Sequence, residues 1–290
     1  MIEFLNDTHM IWDVRVAIDQ FFGAMGAGLL LAAIMIRKQA ATAKLAATIS
    51  PVVTVLGILV MFTELGNPIG MYNILFGNPG SVLFMGSFLQ GAFVLVSVLY
   101  AASYYGFKIA PENLLAVAGA VLAVMLGAYH GLLQSAVIAR PVWNSQLLPV
   151  ISVISGLTSG LAIAMALSSK AADETDGVIA ALAQPFKWLI IGQVVALLVM
   201  GVQFAFYSPA YVAESGGDVL SKSGLFWLGA VVIGAVLPAL AAFTTAAADL
   251  KKRTAVISVL VMVGALAYRF VLLQAGSHSV VFNLPFKLIE

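Results

Sequence analysis

The sequence contains no cysteine. That absence excludes structural disulfides, thiolate zinc sites, Cys-ligated iron–sulfur clusters and covalently attached c-type haem from this chain. Charge is almost as scarce. Asp, Glu, Lys and Arg make up 9% of the 290 residues, against roughly 25% in an ordinary soluble domain. A formal net charge of +1 supplies no field to draw nucleic acid, and the basic residues are scattered between apolar runs, so nucleic-acid binding is excluded. Histidine occurs only at 9, 130 and 278. A buried haem b needs two facing axial ligands, and His9 and His278 lie in the end segments, so no haem is expected and a redox role would use a diffusible cofactor. No Arg/Lys-led segment with a small-residue cleavage site opens the chain, so the first apolar segment is expected to be a retained span.

What is abundant is apolar sequence, at 62%. About 20 apolar residues cross a bilayer as a helix, and the chain offers eight such runs, near 13–36, 44–65, 81–105, 111–135, 146–168, 185–207, 223–243 and 253–274. The expected fold is an all-α integral membrane protein. The connections after spans one, three, five and seven carry Arg37, Lys38, Lys44, Lys108, Lys170, Lys187, Lys251, Lys252 and Arg253. The opposite side carries Arg15, Arg140, Lys222 and Lys287. The richer side is expected to be cytoplasmic, which puts both termini and the loops near 66–80, 136–145 and 208–222 outside. Pro68, Pro79, Pro141, Trp143, Pro209 and Tyr211 give those loops the residues of ordered surface connections.

Span one resembles span five. Gly23 to Leu29 runs into Lys38 as Gly156 to Leu161 runs into Lys170, and Gly28 and Gly160 each stand ten residues before the lysine. Four spans separate equivalent points, which suggests two parallel four-helix bundles, residues 1–140 and 141–290, related by an axis along the membrane normal. Ordinary small-xxx-small packing is the simpler reading of the same glycines.

Ionisable residues inside a bilayer cost several kcal/mol and tend to mark sites. Asp19, Glu64, Tyr129, His130 and Arg269, from four different spans, all fall in the outer half, with Gln90, Gln134, Gln203 and Gln274 at similar depths. The inner half is drier, holding Gln193 and hydroxyls. A proton-handling site here would exchange with the outside. Simpler roles exist for each: Asp19 and Arg269 as a buried ion pair, Glu64 as a solvated residue beside a turn, Tyr129 as an interfacial aromatic.

Several stretches together resemble the NrfD-type membrane subunits of polysulfide reductase, related to the anchors of dimethyl sulfoxide, tetrathionate and thiosulfate reductases. They are Phe21 to Gly28, the turn Glu64-Leu65-Gly66-Asn67-Pro68, Gly86, Gly127 to Leu133, Arg140-Pro141-Val142-Trp143 with Pro149, and Arg269 followed by Gly276. The resemblance implies a haem-free, quinone-binding anchor in the prokaryotic cytoplasmic membrane. It implies menaquinone or ubiquinone as the bound cofactor. It also implies partners on the outer face: an iron–sulfur electron-transfer subunit of four-cluster ferredoxin type and, beyond it, a molybdopterin catalytic subunit. The family's quinone pocket maps onto Tyr129, Glu64, His130 and Asp19, with Gln134 and Arg269 nearby. Glu64 and His130 are the expected proton acceptors, and Tyr129, Asp19, Gln134 and Arg269 the expected quinone-binding residues. Asp19 and Asn67 depart from the residue types usual in the family at those positions.

Quinol oxidation and quinone reduction both fit this pattern. A secondary transporter with an outer-leaflet polar site is the competing class, and a passive anchor is a third reading, so whether the subunit itself is catalytic stays open.

Overall fold

The computed structural model describes residues 12–65, 67, 69–107, 109–207, 212, 216–244 and 247–277. His9, Gly66, Pro68, Lys108, Pro209, Tyr211, His278 and Lys287 lie outside the described residues, as does the side chain of Lys251. With no water in a bilayer core, backbone groups must be satisfied within each spanning segment. The chain meets that demand with eight long apolar helices and, among the described residues, no strand. They are α1 (Val14–Met35), α2 (Ala40–Glu64), α3 (Val82–Ser103), α4 (Glu112–Ser135), α5 (Leu147–Leu167), α6 (Thr175–Val202), α7 (Leu225–Thr244) and α8 (Ala247–Ser277).

The expected spans overlap these helices, with three starts placed too late. α2 begins at residue 40 instead of 44, α6 at 175 instead of 185 and α8 at 247 instead of 253. Pro185, where the expected span began, lies inside α6, which starts ten residues earlier and runs through Asp176 and Gly177. Part of α7, Leu225–Val236, is wound as a π-helix and returns to α-helical winding at Leu237. Pro238, which has no N–H to give to a carbonyl one turn back, stands at that change.

Helices α1, α5 and α8 are the most enclosed, and α3 lies at the periphery, with 17% of its apolar window buried against 67% for α1. Exposed Leu59, Leu95, Val117, Leu228 and Val259 form part of the apolar surface such a protein presents to lipid. α1 packs on α2, α4 and α5, and α5 packs on α4, α6 and α8. At the α1–α5 crossing a Cβ on Gly28 would strike the Gly156 carbonyl, and one on Gly160 would strike the backbone of Gly28 and Leu29. Only hydrogen side chains allow that approach.

Helix α1 starts at the same face of the bundle at which α2 and α4 end, α5 starts and α8 ends; this is called here the terminal face. Asp13 opens α1 by accepting from the Arg15 N–H. The α4–α5 loop is bound tightly there. Trp143 Nε1 donates to the Leu272 carbonyl at 2.7 Å, and Arg140 Nη1 donates to the Gly276 and Ser277 carbonyls at 3.3 Å. Trp12 stacks on Trp143 with centroids 4.9 Å apart. A loop expected to form a surface thus turns its largest side chains inward onto α8. At the opposite face Glu174, ahead of α6, accepts from the Ala41 and Thr42 N–H groups at 2.9 and 2.8 Å.

Candidate functional site

Near the terminal face α1 to α4 enclose a small cleft of about 90 Å³, open at its mouth. Its walls are Asp19 from α1, Met61 and Phe62 from α2, Ser87 and Gln90 from α3, and Tyr129 from α4, closed by leucine and isoleucine side chains. Asp19 is buried. It reaches this depth because Gly57 on α2 lets the helices close: a Cβ there would lie 3.2 Å from Asp19 Oδ1.

Tyr129 is also buried, its ring lying against Gly86 of α3. Tyr129 forms a wall shared with a second space, a groove between α3 and α4 lined by Val82, Met85, Leu89, Met125, Ala128 and Leu132. The first space is polar at its base. The second is apolar along its length.

His130 stands behind Tyr129, ring centroids 5.3 Å apart, and does not line the cleft. Its imidazole fills the space left by Gly23 of α1, where a Cβ would come within 3.0 Å of Nε2. Its link to the cleft is Gln90, whose amide nitrogen lies 3.5 Å from His130 Nε2. Since the two ends of an amide are assigned from their contacts, either end of Gln90 can face the imidazole.

Glu64 is at the rim. Its carboxylate pairs with Arg15 at 2.8 Å, and Arg15 also pairs with Asp13 at 2.7 Å and donates to the Thr63 carbonyl. Asp13 lies just outside the span. Partial burial works to raise its carboxyl, but hydrogen bonds from Arg15 outweigh that and hold it below the ordinary carboxylate range.

Gln134 and Arg269 are buried away from the cleft. Arg269 Nη1 donates to Ser155 Oγ at 3.2 Å and to the Ala265 carbonyl at 2.8 Å, and the guanidinium lies over the Tyr268 ring. Among the described residues no ion pair joins Asp19 to Arg269, so the pairing open to sequence reasoning does not form. Arg269 is committed to α5 and to its own helix. The structure therefore brings Asp19 and Tyr129 into one cleft with Gln90, places His130 one contact behind it, sets Glu64 at its rim, and keeps Gln134 and Arg269 apart.

Sequence reasoning passed over Ser87 and treated Arg15 only as a loop charge. The signal for the first was present: Gly86, Ser87 and Gln90 fall on one face of α3 at helical spacing. Among the described residues no group of His, Asp and Glu has the makings of a metal site.

The family model described as "Polysulphide reductase, NrfD" matches residues 4–281. The chain is 28% identical to "Protein NrfD" of Escherichia coli strain K12, with 93% of this chain and 96% of that protein aligned. It is 25% identical, over the same shares, to the C subunit of the polysulfide reductase of Wolinella succinogenes. It is 24% identical to "Protein NrfD homolog" of Haemophilus influenzae, with 94% of this chain and 96% of that protein aligned.

Proposed function

Because the chain belongs to the polysulphide reductase NrfD family and is a multi-pass inner-membrane subunit of a bacterial respiratory oxidoreductase, we propose that it exchanges electrons between the quinone pool and a partner iron–sulfur subunit. The observation that carries this reading is the polar cleft of Asp19, Gln90 and Tyr129 beside an apolar groove across the Tyr129 ring. A polar head and an isoprenoid tail need that combination.

A bound quinol, menaquinol or ubiquinol, supplies two electrons and two protons on oxidation. Tyr129 is placed to donate a hydrogen bond to a quinone carbonyl, and Asp19 to accept a proton lost from the hydroxyl opposite. Gln90 orients the head and connects it to His130. Glu64, held by Arg15 at the rim, is the next acceptor toward water. Helices α3 and α4 hold the tail. Electrons leave to an iron–sulfur subunit of four-cluster ferredoxin type and then to a molybdopterin subunit, both docked at the terminal face, which the lysine and arginine distribution makes the outer one.

The division into bundles 1–140 and 141–290 belongs to the same proposal. Four pairs of recurring motifs support it. Gly28 and Gly160 meet at the centre. Ala46-Ala47 with Pro51 in α2 matches Ala180-Ala181 with Pro185 in α6; Gly86 and Gly91 in α3 match Gly229 and Gly234 in α7. Ala128-Tyr129-His130 in α4 matches Ala267-Tyr268-Arg269 in α8, and Leu132-Leu133-Gln134 recurs one residue out of that register as Leu272-Leu273-Gln274. On this alignment Gln90 falls opposite Ile233, so the polar cleft is built in one half only.

The test is quinol oxidation by the assembled complex. Tyr129→Phe and Asp19→Asn should each lower kcat/KM for quinol at least about 100-fold, the range of a lost general acid or base. Normal turnover in both variants would overturn the assignment of the cleft.

A further inference from the structure

Behind the cleft, where α1, α4, α5 and α8 meet, the interior is unexpectedly polar. Gln20, His130, Gln134 and Arg269 project into the packing of these four helices, each at most 3% exposed. They share a neighbourhood. His130 covers Gly23, one turn from Gln20, and Gln134 lies one turn beyond His130 on α4. Arg269 reaches across to Ser155 on α5. Residue 24, one turn from Gln20, touches Gly156, the neighbour of Ser155.

Several donors in this group find no acceptor among the described residues: Nε2 of Gln20, Nε2 of Gln134, and both Nε and Nη2 of Arg269. A buried donor without a partner carries its full desolvation cost, and a guanidinium more than an amide. Native interiors leave few such groups unsatisfied, and a cluster of them points to ordered water or an ion. The cluster also has a definite address. It lies on the seam between the two motif repeats, with His130 and Gln134 from one and Arg269, at the position matching His130, from the other.

We propose that this junction is a water-binding site and that its water receives protons from the cleft through Gln90 and His130. The inference rests on the quinol reading of the cleft. For each quinol oxidised, two electrons pass to the partner's iron–sulfur cluster. Its two protons have two exits, Asp19 with the rim, and His130 with the junction water, which passes its proton on to the terminal face past Gln134 at the end of α4. His130 takes a proton at one ring nitrogen and passes one on from the other. Gln20, Gln134 and Arg269 position the water and are not themselves titrated. Arg269, with two donors turned to the same oxygens, fixes their orientation.

The test replaces amides by apolar side chains of similar size, Gln134→Leu and Gln20→Leu, in the intact complex. In a dry junction each substitution removes an unsatisfied group, so the unfolding midpoint would hold or rise. With water bound there, each removes a real hydrogen bond and the midpoint falls by several degrees. Gln134→Leu should also lower kcat for quinol about ten-fold while KM stays within about two-fold, and should enlarge the solvent deuterium isotope effect, as expected when a proton-transfer step is impaired. Midpoints that hold or rise in both variants, or an isotope effect equal to that of the unsubstituted protein, would overturn the proposal. A complex that neither binds nor oxidises quinol before any substitution would instead overturn the functional reading on which it rests.

Discussion

Gly86 of α3 lies against the Tyr129 ring so closely that a Cβ there would overlap Cζ and the hydroxyl. The ring forms the shared wall of cleft and groove, so residue 86 governs the width of both. Gly86→Ala must push the phenol out of place. Overpacking of this kind costs about 1–3 kcal/mol, which the protein should survive, while KM for quinol rises at least about ten-fold. Steady-state kinetics beside a thermal unfolding scan would separate the two effects.

Glu64, itself partly buried, is tied to the exposed guanidinium of Arg15, and a pair with one partner in solvent contributes about 1 kcal/mol or less. Glu64→Gln should therefore leave the unfolding midpoint nearly unchanged. If the carboxylate hands protons to water, kcat falls at least about ten-fold with quinol affinity intact. An inhibitor titration run beside turnover measures both. Unchanged kcat would remove Glu64 from the proton path and leave Arg15 as its structural partner.

Glu174 joins two distant segments by accepting from the first free N–H groups of α2. Burial tends to raise its carboxyl, but the hydrogen bonds from Ala41 and Thr42 prevail and hold it below the ordinary value of 4.5. A depressed carboxyl stabilises the folded state above that ordinary value, and the contribution fades as pH falls through the lower folded value. Glu174→Gln should thus cost about 1 kcal/mol near neutrality, solvent screening allowed for. The difference from the unsubstituted protein should shrink as pH falls below 4.5 and vanish once it is below the depressed folded value, where both side chains are neutral. Unfolding scans from pH 3 to 7 would trace it.

Trp143 is fully buried between Trp12 and Gly276. Trp143→Phe keeps the aromatic body but removes the hydrogen bond to Leu272, at a cost of about 1–3 kcal/mol because that carbonyl loses its indole donor. Quinol KM should stay constant, since the latch joins the α4–α5 loop to α8, and α8 does not line the cleft. A KM change as large as that of the Gly86 variant would mean the two regions are coupled.

The spans were legible because hydropathy over 20 residues is a coarse signal that tertiary packing does not override. The start of α6 was not, because Asp176, Gly177 and Gln184 interrupt the apolar pattern of its first ten residues and Pro185 stands where the expected span began. Asp19 and Tyr129 could be named from depth alone. What depth cannot supply is rotation about the helix axis: Glu64 and Gln134 share the leaflet of Asp19, but one turns toward Arg15 and the other toward the helix junction. Arg140 and Trp143 show the same limit. Their residue types suit a surface loop, and only the seat offered by Gly276 and the end of α8 draws them inward.

At the Gly28–Gly160 crossing, main chain rests on main chain with no cushion of side chains between α1 and α5. An alternating-access transporter rocks one bundle against the other about such a seam, and here the pivot would have no lubricating layer. Any tilt would drive peptide groups into one another on one side and open a void on the other. The contact makes the molecule a keel rather than a hinge: on the proposed quinol reading, a stiff mount that would hold the cleft at a constant distance from the cluster receiving its electrons.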